Sequence, residues 1–326
     1  MTIRVSVLLP VRDASTTLAA AIASLEAQTF RDFEIIAVDD GSSDDTAQML
    51  SRTESARLHV YASPGRGIVA ALNHAAAHAA GDLLARMDAD DIAHPERVAK
   101  QVALMDAEPD VVACGTQIRY VPRTGLKDGA RRYEAWINSV ITRHEIERDL
   151  FVECPIPHPT LMVRHAAFPG YREGPFPEDY DLLFRLRGPF AKVPEVLLDW
   201  RDSATRLSRT EVRYAPEGFR RLKARYLSAL RAYAKPVVVW GAGPVGKAFA
   251  LELQRIPVPV VAFVDLDPRK VGQRIHGAPV VAPENIDAYR HAYVVAAVGQ
   301  AGAREEIRAA LTESGWRERF DWCAVA

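Results

Sequence analysis

The chain has 326 residues, 48% of them hydrophobic and 25% charged, with a formal net charge of −1. That length suits two globular domains with full cores, and the balanced charge excludes a global pull toward nucleic acid or anionic membrane. Cys114, Cys154 and Cys323 are odd in number, widely spaced and without a C-x-x-C pair, which argues against a disulfide framework or structural zinc and for a reducing cytoplasm.

The N-terminal VSVLLP is a buried-strand pattern. Pro10 follows it and no small-residue cleavage site appears, so it reads as a first strand and not a signal peptide. In ASTTLAAAIASLEAQ, Leu18, Ala21, Ile22 and Leu25 recur on one helical face. FEIIAVDD is a second strand closed by Gly41, and SSDDT caps a helix through Met49 and Leu50. RLHVYA predicts a third strand, GIVAALNHAAAHAA a helix ended by Gly81, and DLLARM a fourth strand. This alternation predicts an α/β fold, a mostly parallel sheet with helices on both faces. Ligands bind such sheets beyond the carboxyl ends of the strands. Asp13, Asp39, Asp40, Asp88, Asp90 and Asp91 all fall at those ends.

From Asp106 to about Gly174 the pattern is less regular, with turn-rich segments at PRTGLKDG and CPIPHPT. PEDYDLLFRLRG predicts a short helix. Residues 206–235 read as a basic helical linker carrying Arg209, Arg213, Arg220, Arg221, Lys223, Arg225 and Arg231. KPVVVWGAGPVGKA then restarts the strand–glycine–helix logic. FVDLDP, APVVAP and AYVVAAVG are expected strands, and AGAREEIRAALTESG an expected helix. No apolar run is long enough to span a bilayer.

In LLARMDADDIAHP, Asp88 and Asp90 are two apart, so on an extended segment both carboxylates project to one side. Two oxygen ligands with open positions beside them suit Mg²⁺ or Mn²⁺ that completes its shell with phosphate oxygens and water. A solvated acidic turn is the plain alternative. In PEDYDLLFRL, Asp179 precedes Leu182, Leu183 and Leu186 at helical spacing, which predicts an inward face with a carboxylate in its first turn.

VSVLLPVRD, FEIIAVDDGSSDDT and GIVAALNHAAAHAAGDLLARMDADDIAHPERVAKQV together resemble the nucleotide-binding half of the inverting family 2 glycosyltransferases, which have the GT-A fold. The likeness continues through CPIPHPTLMVR and PEDYDLLFRL to VPEVLLDWR. It implies that Pro10, Val11 and Asp13 edge the nucleotide base, and that Asp40 or its neighbour Asp39 accepts from the base N3–H of a uracil- or thymine-type base. By the same likeness Asp88 meets the ribose, Asp90 holds the metal on the diphosphate, and Asp179 is the general base toward an acceptor hydroxyl. Asp91 is either a sugar contact or a turn cap, and Arg66 in GRG either reaches the phosphates or sugar or is solvated. His158 in PIPHPT is expected against acceptor or diphosphate, Glu178 against acceptor, and Trp200–Arg201 on the acceptor side or in a packed edge. No Gln-x-x-Arg-Trp motif follows the base, so one sugar per acceptor is expected.

WGAGPVGKA places Gly241, Gly243 and Gly246 as G-x-G-x-x-G between strand and helix, and Asp265 ends the next strand. That is a mononucleotide-binding arrangement, with phosphate at the helix N-terminus and an acid for ribose. The segment resembles the Rossmann-like nucleotide-binding head of bacterial sugar acetyltransferases. Binding a dinucleotide or nucleotide-sugar, or only packing and oligomerising, are both open readings. The expected division is a GT-A domain at 1–205, a linker at 206–235 and a Rossmann-like domain at 236–326.

The function expected is inverting transfer of one sugar from a nucleoside-diphosphate sugar, UDP first, to a hydroxyl of a glycan or lipid-linked acceptor, as in surface polysaccharide assembly. The expected place is the cytoplasm, with peripheral contact at the inner face of the membrane left open. An NAD-dependent sugar oxidoreductase or epimerase is the main rival, although the chain has no Tyr-x-x-x-Lys pair. A non-catalytic nucleotide-sugar-binding protein is the other.

Overall fold

The computed structural model describes residues 3–203, 206–229 and 235–326. Residues 204–205, at the end of the first expected domain, and 230–234 of the expected 206–235 linker, Arg231 among them, lie outside the described residues. The chain forms two compact units, one of Met1–Glu147, Pro155–Gly174 and Glu178–Thr210, the other of Arg148–Cys154, Pro175–Pro177 and Glu211–Ala326.

The first unit begins β1 (Val5–Val11), α1 (Leu18–Glu26), β2 (Phe33–Asp39), α2 (Thr46–Arg52), β3 (Leu58–Ala62), α3 (Ile68–His78) and β4 (Leu83–Arg86). It continues with β5 (Ile92–Ala93), α4 (Arg97–Ala107), β6 (Ala113–Val121), α5 (Asp128–Ser139), α6 (Arg143–Asp149, whose last two residues count with the second unit), β7 (Met162–Arg164), α7 (Glu178–Arg185), β8 (Phe190–Arg201) and α8 (Leu207–Thr210). One eight-stranded sheet results, in the order β3-β2-β1-β4-β7-β6-β8-β5. β3, β2, β1 and β4 are parallel, and β7 runs antiparallel to both β4 and β6.

The apolar runs explain that arrangement. β4 is buried at every position and β1 and β2 at all but one each, as strands covered on both faces must be. β3, at the sheet edge, is half-buried or exposed throughout. α1 buries Leu18, Ala21, Ile22 and Leu25, the face its spacing predicts. Truncating one of these, Leu25→Ala for example, removes a fully buried side chain and costs about 2–5 kcal/mol.

Three local expectations are corrected. α3 stops at His78, before Gly81. The region expected to be irregular after Asp106 carries β6, α5, α6 and β7, because β6 buries residues of mixed polarity and shows no clean period. The stretch from 206 to 229 is also broken: Arg206–Thr210 belongs to the first unit and Glu211 onward to the second. Its basic character is largely consumed internally. Arg209 pairs with Asp202, Arg213 with Glu211 and Arg220 with Glu217. Lys223 is buried and donates to the Val152 and Val325 carbonyls at 2.6 and 3.0 Å.

The second unit contains α9 (Pro216–Ala229), β9 (Val237–Trp240), α10 (Pro244–Gln254), β10 (Val260–Val264), β11 (Arg274–Ile275), β12 (Ala278–Val281), β13 (Tyr293–Ala296), α11 (Ala303–Glu313) and β14 (Trp322–Ala324). Its sheet order is β11-β12-β10-β9-β13-β14, parallel except for β11. β10 and β13 flank β9 on opposite sides, so the connections diverge there and leave a crevice at the carboxyl ends. Among the described residues no helix is long and apolar enough to cross a membrane.

Candidate active site

The site is assembled where β1, β2 and β4 end together. Val11 lies opposite Asp39 in the β1–β2 register, and Leu8 opposite Arg86 in the β1–β4 register. After β1, Asp13 turns the chain with a positive φ of 46°. Its Oδ1 accepts from the Ser43 amide at 2.7 Å and the Ser43 hydroxyl at 3.0 Å, which lowers its pKa. Asp39 accepts from Ser42, so the first of the paired acids is spent on its own turn.

Asp40 is buried, and its two oxygens accept from the Gly67 amide at 2.8 and 3.0 Å, with Arg12 at 3.6 Å. That contact seats the loop after β2, which bears Asp40, against the loop bearing the exposed Arg66.

Past β4, Asp88, Asp90 and Asp91 converge, with one carboxylate oxygen from each within 4.8 Å of the others. The acids are held from two directions. Arg86 Nη2 lies 2.6 Å from Asp88 Oδ1. On the other side β5 pairs with the end of β8, where the Arg201 amide donates to Asp91 Oδ1 at 2.8 Å and Arg201 Nε to the Asp90 carbonyl at 2.9 Å. Asp91 is fully buried and its Oδ2 has no hydrogen-bond partner. Burial, with Asp88 next to it, pushes the Asp90 pKa up to about 6 and raises that of Asp91 as well. A buried carboxylate oxygen without a donor, beside two further acids, suits a cation as its partner. The residues present therefore suit a hard divalent ion.

Four guanidinium groups surround the acids. Arg86 is 2% exposed. Arg97, at the start of α4, is buried, donates to the Arg86 carbonyl and to Gln101, and is pulled down to about 10 by burial. Arg201 has been described. Arg206 lies 4.2 Å over the Trp200 ring, which stacks on Tyr120 at 5.2 Å and 14°. Its charge reaches Asp88, Asp90 and Asp91.

A third element meets the cluster through Tyr171. The Tyr171 hydroxyl is 2.8 Å from His158 Nε2, and the ring feels the charges of Arg86, Glu178, Asp179 and Asp88. Burial, and the Arg86 charge after it, push His158 well below its ordinary pKa, so it is neutral at pH 7. At the head of α7, Asp179 is half-buried and accepts from the Tyr180 amide at 2.8 Å, whereas Glu178 is fully buried. This corrects the one-face expectation for α7. Glu178, Tyr180, Asp181, Leu182 and Leu183 are all buried, because the short helix is enclosed on most sides, and its buried acids are Glu178 and Asp181. Asp179 stays half-buried and so remains partly open to solvent.

Asp13, Asp40, Asp88, Asp90, Asp91, His158, Glu178 and Asp179 are thus gathered in one unit, while Gly241, Gly243, Gly246 and Asp265 form a separate group in the other. Arg86, Tyr171 and Arg206 escaped the sequence reading. A permanent charge ending the apolar run LLAR was the available sign for Arg86, since a buried guanidinium needs an acid.

In the second unit a cavity of about 720 Å³ opens at the ends of β9, β10 and β13, lined by Gly241, Gly243 and Asp265 among others. Asp265 Oδ2 accepts from the Ala242 amide and Lys270 Nζ, both at 2.9 Å, and its Oδ1 accepts from the Asp267 amide at 2.9 Å. The acid expected to meet ribose is therefore engaged by its own unit.

Residues 6–169 match the family model described as glycosyl transferase family 2, and residues 233–319 match one described as C2185-like, N-terminal. The chain is 31% identical over 177 residues to the putative glycosyltransferase EpsE of Bacillus subtilis, covering 52% of this chain and 60% of that protein. It thus spans less than two thirds of that relative. It is 30% identical over 190 residues to the O-antigen biosynthesis glycosyltransferase WbnJ of Escherichia coli, covering 56% and 71% of the two chains. Among solved structures, S. aureus TarS 1–349 in complex with UDP-GlcNAc superposes with a TM-score of 0.56 at 18% identity, over 70% of this chain and 67% of that one. Since the family match takes in half of the sequence and the strands that carry the acids, this chain belongs to glycosyl transferase family 2.

Proposed function

We propose that the chain transfers one sugar from a UDP-linked donor to a hydroxyl of a glycan or lipid-linked acceptor, with inversion, in the assembly of a surface polysaccharide. The observation that carries this reading is the Asp88–Asp90–Asp91 cluster, with the buried and unpartnered Asp91 Oδ2, on the sheet edge where β2 also ends at the Asp40 turn. Asp40, with Pro10, Val11 and Asp13, borders the base, and its carboxylate offers acceptors to an imide N–H once the Gly67 loop adjusts. Asp88, steadied by Arg86, meets the ribose. Asp90 and Asp91 hold Mg²⁺ or Mn²⁺, which supplies neutralisation of the leaving diphosphate when bound. Arg206, with Arg201 and Arg66, adds fixed positive charge on the phosphate side.

Asp179 takes the proton of the acceptor hydroxyl as its oxygen attacks the anomeric carbon, and the bond to the diphosphate breaks on the opposite face. Glu178, buried beside it, and neutral His158, fixed by Tyr171, orient the acceptor. A lipid-linked acceptor would bring the protein to a membrane surface, for which the exposed Arg221 and Arg225 of α9 are available. For the unit that begins at Glu211, we propose an accessory Rossmann-like domain akin to the nucleotide-binding head of bacterial sugar acetyltransferases, on the strength of its strand order and glycine turn.

The test presents UDP-, GDP- and dTDP-sugars one at a time with Mn²⁺ and measures the nucleoside diphosphate released. Release of UDP from a UDP-sugar, abolished by Asp90→Ala, is expected. Release from none of the donors, together with no metal-dependent UDP binding, overturns the reading.

A further inference from the structure

We propose that the cleft of the second unit binds a nucleotide by its phosphate and its base, leaving the ribose unread by Asp265. This goes beyond the transferase reading and does not depend on it. The cleft lies where the connections from β9 diverge to β10 and β13, the point in a parallel sheet at which two loops part and leave a crevice. Its volume of about 720 Å³ far exceeds a bare anion, and Val264, Leu266, Pro283, Val298 and Ile307 give it an apolar wall. That combination fits a flat organic body better than an ion or a sugar alone.

The three glycines of the turn separate by cause. Gly241 has a φ of 120°, and a Cβ there would come within 2.7 Å of the Ala297 carbonyl oxygen. A Cβ on Gly246 would meet the Gly241 carbonyl oxygen at 1.8 Å. Both are demanded by the fold. Gly243 is not: its φ of −88° suits any residue, and a Cβ there would meet nothing within 4 Å. It lines the cleft at the start of α10, which has no side-chain cap. The space a side chain would take is thus left clear at the first turn of α10, where a phosphate can come close to the backbone.

Lys270 completes the anion site. Its Nζ is steered into the cleft wall by Asp265 at 2.9 Å. The same contact, with the two backbone amides, occupies three acceptor positions of the Asp265 carboxylate. Asp265 therefore works as a brace for the glycine turn and for Lys270, and the diol of a ribose would have to share a carboxylate that three donors already hold.

The experiment titrates the full chain calorimetrically with UDP, ADP, NAD and dADP in the presence of EDTA, which silences metal-dependent binding at the first site. At least one ribonucleotide should bind. Gly243→Val should weaken that binding by about tenfold or more while leaving the melting temperature near wild type, and Lys270→Met should weaken it as well. dADP should bind within about threefold of ADP. The proposal is overturned if no nucleotide binds, or if both variants bind as tightly as the wild-type chain. A preference for ADP over dADP of about tenfold or more would refute the ribose-independent part and return Asp265 to the diol.

Discussion

Arg86 Nη2 and Asp88 Oδ1 lie 2.6 Å apart at the end of β4, one partner 2% and the other 31% exposed. The pair sets how the first acid of the cluster is presented. Arg86→Met leaves Asp88 facing its two acidic neighbours, and the loss should be about 1–3 kcal/mol, less than for a fully buried pair because Asp88 reaches solvent. Urea unfolding gives the stability, and a UDP titration with Mn²⁺ should show weaker binding. Arg86→Lys, which keeps the charge without the planar fork, should recover only part of each. Wild-type stability and UDP affinity in Arg86→Met would show that Asp88 is positioned by something else.

Metal should stabilise the folded chain, and the effect should depend on pH with a definite sign. The Asp90 pKa lies above that of an ordinary carboxylate, at about 6, and that of Asp91 is also raised. Their contribution to stability is therefore favourable at low pH and lost as pH rises from about 4 through about 6, where the folded form must release protons it prefers to keep. A divalent ion relieves that repulsion but competes with the same protons. The rise in melting temperature on adding Mn²⁺ should be larger at pH 7.5 than at pH 5.5, and absent in Asp90→Ala. An equal rise at both pH values would count against these acids as the ligands.

Asp179→Asn preserves shape and removes basicity. Turnover should fall by roughly 10²–10⁴, with UDP affinity unchanged because Asp179 lies on the acceptor side in this reading. Steady-state kinetics and a UDP titration on the same preparation separate the two effects. Normal turnover would move the base to another group.

Arg206 is held by the face of Trp200 and by a side-chain hydrogen bond with Tyr120, and its contact with Asp202 is 4.0 Å. Its charge is thus available to a phosphate. Arg206→Gln should weaken UDP binding by about tenfold, and Arg206→Lys should not restore it, because an ammonium lacks the stacking plane. Equal UDP affinity in all three proteins would assign Arg206 to packing alone.

The sequence by itself determined the parallel core. The runs VSVLLPV, FEIIAVD and LLAR can only be strands buried on both faces, and chain connectivity then forces their acidic ends to one edge. It also singled out Asp90 and Asp179 as carboxylates at the edges of apolar elements, while Asp40 was drawn in by the family resemblance. Tertiary structure alone decided which acids are shielded and which are open. Asp39 and Asp40 are adjacent, yet one is spent on Ser42 and the other is buried against Gly67. Glu178 and Asp181, not Asp179, are the buried acids of α7, because burial there comes from most sides and not from one helical stripe. Arg206 reaches the Asp88 cluster only through the packing of Trp200 on Tyr120, residues 80 positions apart across the paired strands β8 and β6. Such contacts leave no local period to read, since they depend on register between strands that the chain brings together only in the folded sheet.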